Sequence, residues 1–315
     1  MKSKTINAVI SKKMQDWFFS IEDEKVRALA EENTIVTGGC IASMLLKEPV
    51  NDYDVYFRNR ATALAVAKYY VSRFNPVNAK GIARKIFIDP AFEDRVKIVI
   101  KSSGIAAENE NNQEYQYFEH YQDATPQAGQ YVSELMSGAG EIEDAYDDLN
   151  EQAQQIENNG PKYRPVFLST NAITLSDKVQ IVTRFFGPPN EIHENYDFVH
   201  CTNYWESWSK KLHLNQPALE ALLSRELKYV GSKYPLCSIM RTRKFIKRGW
   251  TINAGQLLKA AMQLNAMDLT DPSVLEDQLT GVDSAYFVEI IGKLKADDPE
   301  KVNTAYLIEI VDRMF

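Results

Sequence analysis

Two aspartates two residues apart, Asp52 and Asp54, follow a Gly38-Gly39 pair in the stretch TIVTGGCIASMLLKEPVNDYDVYFR, Thr34 to Arg58. The apolar pair Ile35-Val36 reads as a short strand, the glycines as a turn where backbone comes close to another group, and Cys40 to Lys47 as a helix. Twelve residues lie between Gly39 and Asp52, room for that helix and a return loop, and Asp52 to Phe57 then alternates as a strand does. Period 2 puts both carboxylates on one face, roughly 6.5 Å apart at about 3.3 Å per residue. Carboxylates so placed repel unless a cation lies between them. Mg²⁺ suits the position, because it takes oxygen ligands and shares its shell between one or two carboxylates and substrate phosphates. Helix N-termini attract phosphate, so the chemistry indicated is metal-assisted phosphoryl transfer. The plainer alternative is a polar strand end after a glycine turn.

The order strand, Gly-Gly, helix, Asp-x-Asp strand resembles the signature of the polymerase-β-like nucleotidyltransferase superfamily. The resemblance implies that Gly38 and Gly39 hold a nucleoside triphosphate (NTP) and that Asp52 and Asp54 hold Mg²⁺. It also implies a third carboxylate on a neighbouring strand. Residues 171–205, NAITLSDKVQIVTRFFGPPNEIHENYDFVHCTNYW, read as strand, turn at Ser176-Asp177, strand Val179 to Phe186, a Gly-Pro-Pro break, a helical turn and a strand from Tyr196 to Tyr204. This resembles a layout of divergent viral nucleotidyltransferases in which the Asp of the last strand completes the metal triad, here Asp197. A charge inside an apolar strand needs a partner or a metal; the alternative is an aspartate at a strand start facing solvent. Two Mg²⁺ ions, with Mn²⁺ as a substitute, are implied, and Asp197 would help activate the attacking hydroxyl. Ser43 is either a phosphate hydrogen-bond donor or a neutral residue of the first helix.

A second segment, Leu236 to Asn253, carries five basic residues between positions 241 and 248. At 100° per residue, Leu236, Ile239, Met240, Ile246 and Trp250 share one face, and Arg241, Lys244 and Arg248 another. The pattern predicts a buried helix with a cationic edge. It resembles the Arg-x-x-Arg-Phe and Gly-aromatic segment after the head domain of CCA-adding tRNA nucleotidyltransferases and bacterial poly(A) polymerases. Arg241, Lys244 and Arg248 are then expected to clamp a triphosphate or an RNA backbone, or else to form a solvated face. Here Lys replaces one Arg, and Cys-Ile-Ala-Ser follows the glycines in place of the usual Arg-Asp. The Gly-Gly, Asp-x-Asp, Tyr-Asp-Phe and Lys-Phe-x-x-Arg-Gly-Trp blocks together also resemble predicted nucleotidyltransferases of large tailed bacteriophages.

The elements around these motifs predict an α/β (α+β) nucleotidyltransferase-fold head with a small mixed sheet, followed by an α-helical C-terminal domain. Expected elements are a helix over about 8–31, a helix at Thr62 to Phe74, strands near Lys85 to Ile88, Arg95 to Ser102 and Val166 to Thr170, and helices from about Pro217. At 315 residues two domains are expected, 1–235 and 236–315. The first is interrupted at 104–160, which carries thirteen Asp or Glu and no Lys or Arg. Within a net charge of −7, the rest of the chain therefore carries +6. The acidic insertion reads as a solvated appendage, or as an arm that binds a protein partner or mimics nucleic acid and screens the active site. Helical spacing over Leu257 to Leu264 and Tyr286 to Leu294, and helix starts at Asp271-Pro272 and Asp298-Pro299, predict packing helices.

Three widely spaced cysteines indicate neither a disulfide framework nor a zinc motif, and the four histidines lack metal-ligand spacing. Neither a bilayer-spanning apolar run nor a signal-peptide core is evident, so no membrane is expected, and the cytoplasm (of the host cell, if viral) is. The sequence thus predicts a Mg²⁺-dependent nucleotidyltransferase that moves a nucleoside monophosphate from an NTP to an acceptor hydroxyl, an RNA (tRNA-like) 3′ end foremost. The alternative is a protein of the same fold, virion-associated or otherwise, that binds without catalysis.

Overall fold

The computed structural model describes residues 1–73, 85–91, 93–101, 115–116, 118–120, 162–169 and 171–269, with 271, 274 and 278. The acidic insertion, apart from five residues of two short strands, and the expected helices beyond Asp271 lie outside the described residues.

Strands β1 (Thr34–Thr37) and β2 (Tyr53–Phe57) flank helix α3 (Gly39–Leu46), as the Gly-Gly and Asp-x-Asp spacing predicts. Before them come helices α1 (Ser3–Ser20) and α2 (Glu24–Asn33), where one helix over 8–31 was expected. The break follows from Asp23, whose carboxylate accepts hydrogen bonds from the Lys25 and Val26 backbone N–H groups and so starts a new helix. Helix α4 (Arg60–Arg73) crosses to β3 (Lys85–Asp89), β4 (Lys97–Lys101), β5 (Tyr115–Gln116), β6 (Phe118–His120), β7 (Pro165–Ser169), β8 (Ala172–Leu175) and β9 (Val179–Phe186). After a short helix α5 (Pro189–His193) and a 3₁₀ turn (Val199–Cys201) come strands β10 (Tyr204–Glu206) and β11 (Lys211–His213). Helices α6 (Gln216–Ser224), α7 (Pro235–Lys247) and α8 (Ala254–Asn265) follow.

The main sheet has eight strands in the order β11-β10-β1-β2-β9-β8-β7-β6. It is mixed, because β2 and β9 pair in parallel while the other neighbours are antiparallel. Strands β3, β4 and β5 form a separate three-stranded sheet. Strand alternation divides the main sheet's two faces. Val36, Val55 and Phe57 enter the larger core, against Ile6, Ile10, Met14 and Trp17 of α1 and Ala63, Val66 and Tyr70 of α4. The four α1 residues recur at three- and four-residue spacing, and Trp17 Nε1 donates to the Tyr70 hydroxyl at 2.8 Å. On the opposite face Ile35, Tyr56 and Val182 pack with Ile192, Tyr196 and Tyr204. Asp54, two residues before Tyr56, belongs to this second face.

One expected strand does not form. Residues 196–203 run through a bend, a single bridge from Phe198 to Tyr229 and the 3₁₀ turn, and strand geometry begins only at Tyr204. The Thr202 hydroxyl donates to the Val199 carbonyl at 2.7 Å and its N–H to the same carbonyl at 3.1 Å. A threonine that closes a turn in this way competes with extended pairing. No described helix is long and apolar enough to cross a membrane.

Candidate nucleotide and metal site

Gly38 leaves β1 at φ 89° and ψ −151°, a region essentially restricted to glycine, and caps α3. A β-carbon there would meet Asp54 Oδ2 at 2.8 Å and the Tyr196 hydroxyl at 3.6 Å. The turn is thus held against the acid of β2. Gly39 starts the helix with nothing near the position of its absent β-carbon. No side chain caps α3, which leaves its first-turn N–H groups to other acceptors. Ser43 lies half-buried inside α3, where its backbone carbonyl accepts from Glu48 N–H at 2.8 Å.

The pairing of β1 with β2 sets Thr37 opposite Asp54. The Thr37 hydroxyl, with one proton, donates to the Asn203 carbonyl at 2.8 Å and accepts from His193 Nε2 at 2.9 Å. Burial pushes the His193 pKa down to about 4, so the ring is neutral and its Nε2 carries the proton for this bond. Gly38 N–H donates to the Cys201 carbonyl at 3.2 Å, which ties the glycine turn to the 3₁₀ turn. Burial, then Asp54 and Asp52, push the Cys40 thiol well up, and the same order of burial, Asp197 and Asp54 pushes Cys201 up to about 12. Both sulfurs are therefore thiols and not nucleophilic thiolates.

On the far side of β2, the residue of β9 in register with Asp54 is Gln180. The adjacent strand offers an amide where a further acid would face Asp54. Asp197, expected there on a strand, instead lies buried on the bend before the 3₁₀ turn. Its Oδ1 accepts from Ser232 at 2.7 Å and Ser238 at 2.9 Å, and its Oδ2 pairs with Arg241 Nη1. The charge that needed a partner has one in α7. Among the described residues no three His, Cys, Asp or Glu side chains gather into a metal-binding group. Asp54 lies on β2 beside the glycine turn, Asp52 immediately precedes the strand, and Asp197 is engaged by Arg241.

The cationic helix forms as Pro235–Lys247, but its buried face differs from the expected one. Ile239 is 40% and Ile246 50% exposed, whereas Cys237, Ser238, Thr242 and Trp250 are buried. Ser238 faces inward because it serves Asp197, and Thr242 follows it with its hydroxyl on the Ser238 carbonyl at 2.8 Å. Polar groups that find partners have displaced two isoleucines from the inner face. Arg248 is exposed but engaged by an acid. Its Nη2 meets Glu48 at 2.8 Å beside Arg225 at 2.9 Å, so Glu48 joins two arginines to the end of α3. Lys244 lies half-buried on the same helix.

Sequence reading missed Thr37, His193 and Tyr196 as neighbours of the site. Thr37 adjoins Gly38 and was within reach of the motif, but nothing in the spacing relates it to His193 and Tyr196 more than 150 positions away.

The sequence profile described as Gabija anti-defense 2 family protein matches residues 8–225. No curated protein matches the sequence. Among solved structures, the fold overlays on a Thermotoga maritima CCA-adding enzyme complexed with tRNA at a TM-score of 0.36 and 13% identity, covering 90% of this chain and 54% of that one. A Bacillus stearothermophilus CCA-adding enzyme in complex with CTP gives 0.34 and 12%, with 92% and 53% covered. The chain spans about half the length of the solved structures it matches.

Proposed function

The chain belongs to the Gabija anti-defense 2 family, and we propose that it is a nucleotidyltransferase that transfers a nucleoside monophosphate from an NTP to an acceptor hydroxyl, with an RNA 3′ end as the first acceptor to test and the Gabija defence as the target of the activity. One observation carries the reading. Gly38, in a glycine-only conformation, holds the uncapped N-terminus of α3 against the Asp54 carboxylate, which brings phosphate-binding N–H groups and a cation-binding acid to the same turn.

The donor set fits one divalent cation. Asp54, with Asp52 two positions before it, would supply carboxylate oxygens to such a cation, and phosphate oxygens of the nucleotide would supply the others, the sharing that Mg²⁺ favours. When bound, the cation neutralises phosphate charge and polarises the phosphorus under attack. The protein's own part is positioning. The α3 N–H groups after Gly38 receive the phosphates, Thr37 and His193 brace the strand end, and in-line transfer follows from alignment of the acceptor hydroxyl with the α-phosphorus. As the acceptor oxygen bonds to the α-phosphorus, the bond from that phosphorus to the α–β bridging oxygen breaks, pyrophosphate leaves, and the hydroxyl proton passes to water. A second ion needs a further acid, and Asp197 serves only if Arg241 releases it. Ser43, Arg241, Lys244 and Arg248 remain proposed phosphate or RNA contacts, and the division into a head over 1–235 and a helical part over 236–315 is proposed with them.

The second reading, binding without catalysis, is favoured by Gln180 opposite Asp54 and by the Asp197–Arg241 pair. A thermal-shift titration tests the site common to both. Mg²⁺ with at least one of the four NTPs is expected to raise Tm of the wild type and not of Asp54→Asn, since a ligand of the folded state stabilises it. Equal shifts in both proteins would remove Asp54 from the site.

A further inference from the structure

A single cross-sheet row leads from the sheet edge to the glycine turn. His213 of β11 pairs with Tyr204 of β10, Tyr204 with Thr37 of β1, and Thr37 with Asp54 of β2. Residues paired across strands share a face, so His213 and Tyr204 stand on the face of Asp54, while Trp205 and Leu212 beside them turn to the core. Neighbouring strands lie about 4.7–4.9 Å apart, which sets His213 three spacings, roughly 14 Å, from Asp54.

The two rings form a stack. Their centroids are 4.6 Å apart and their planes 8° from parallel. On the inner side His193 packs on Tyr204 at 5.8 Å. On the outer side β11 ends the sheet, and among the described residues His213 meets no ring besides Tyr204. Its side chain is 38% exposed. Cross-strand aromatic pairs stabilise any sheet, and a pair covered on both sides would need no other account. This pair reaches solvent at its outer ring.

The same hairpin carries the charge that a nucleic-acid strand requires. Lys210 and Lys211 are exposed and make no ion pair among the described residues. Lys211 stands opposite Glu206 in the register, but Glu206 Oε1 accepts from the Ser209 hydroxyl and lies 3.1 Å from His213 Nε2, so the acid steadies the imidazole. At the hairpin tip the exposed Trp208 holds the Arg58 guanidinium over its ring at 4.6 Å. Aromatic rings among cations are what binding of an unpaired strand uses: bases stack on the rings and the cations follow the phosphates.

We propose that the β10–β11 hairpin is the platform for the acceptor strand: an unpaired nucleobase upstream of the 3′ end stacks on the outer face of His213, and Lys210 and Lys211 hold phosphates along β11. Naming that strand the acceptor rests on the nucleotide-site reading above; the stacking does not. Three strand spacings exceed the separation of a base from its own α-phosphorus, so the platform serves the acceptor and not the base of an NTP held at Asp54. It takes a single strand, because a duplex keeps its bases stacked on one another.

The test is fluorescence anisotropy of labelled single-stranded oligoadenylate, as RNA and as DNA, with an abasic strand of equal length as the control. One stacked base is worth a change in affinity of about fivefold to a hundredfold. His213→Ala is expected to weaken binding of oligoadenylate with at least one of the two sugars by about fivefold or more, and His213→Phe, which keeps a ring, to bind as the wild type does. Lys210→Ala with Lys211→Ala is expected to lower the slope of log affinity on log salt by about 1.4, two phosphates at about 0.7 each. Wild-type affinity in His213→Ala would overturn the proposal, as would a wild type that binds no single strand. A loss in His213→Phe equal to that in His213→Ala would also overturn it, since the contact with Glu206 and not stacking would then explain the effect. Should His213→Ala lower Tm, the abasic strand decides: a loss confined to strands with bases supports stacking, and an equal loss on the abasic strand overturns it. His213-dependent binding in a protein whose Tm no NTP with Mg²⁺ raises would support the stacking and reject the nucleotide site. An NTP-dependent rise in Tm beside strand binding indifferent to His213 would reject the platform alone.

Discussion

Gly38 and Asp54 are in contact across the β1–β2 pair, so close that a β-carbon on residue 38 would stand 2.8 Å from the carboxylate oxygen. The adjacent Gly39 has open space at the same position. The two glycines of the motif are therefore not equivalent. Gly38→Ala is expected to cost about 1–3 kcal/mol through its glycine-only backbone and to displace Asp54. Gly39→Ala, at the first position of a helix, is expected to be neutral within about 0.5 kcal/mol. Urea unfolding of the two variants checks this, and equal stabilities would contradict the assignment of the turn.

Asp197 and Arg241 join the segment after α5 to α7. Arg241 keeps 27% exposure, so removal of its partner by Asp197→Asn is expected to cost about 2 kcal/mol, below the 3–5 kcal/mol of fully buried pairs. Denaturant unfolding of Asp197→Asn, Arg241→Met and the double variant checks it, with coupling expected between the two sites. A stable Asp197→Asn protein that no longer binds Mn²⁺ would instead return Asp197 to the metal site.

What the sequence made legible was the local part of the site. The strand, glycine turn, helix and Asp-x-Asp strand follow from short-range patterns, and β9 runs over Val179–Phe186 as alternation predicts. The helix break at Asp23 was equally local, a cap in an otherwise helical run, but the reading of one helix over 8–31 passed over it. What could not be read were decisions made by distant partners. Asp197 looked like a charge stranded in a strand because Ser232, Ser238 and Arg241 lie at least 35 positions away. The α7 face was misassigned for the same reason, since hydrophobic periodicity ignores buried serines and threonines that find partners.

His200 is buried against Trp250, at 4.3 Å between ring centroids, and Phe245, at 4.7 Å, and its Nδ1 has no partner among the described residues. Burial, aided by Arg248, pushes its pKa down to about 3 from 6.5. The unfolded chain therefore binds the proton first as pH falls. Stability that is full above pH 6.5 is expected to decline below it, towards pH 3. His193, lowered to about 4, adds to the same loss. Replacement His200→Phe keeps the aromatic packing and removes one titrating group, so its Tm is expected to fall less than that of the wild type between pH 7 and pH 5. Parallel Tm-versus-pH curves would contradict the assignment.

The most direct measurement of the central claim is transfer itself. Purified protein is incubated with Mg²⁺, total RNA and each α-labelled NTP in turn, and the RNA is sized on a denaturing gel. Label is expected to enter RNA from at least one NTP, and Asp52→Asn and Asp54→Asn proteins, folded as judged by Tm, are expected to transfer at least a hundredfold less. Nucleotide binding without transfer to RNA or to any protein in the reaction would contradict the nucleotidyltransferase and leave the binding protein; full transfer by Asp54→Asn would contradict the site.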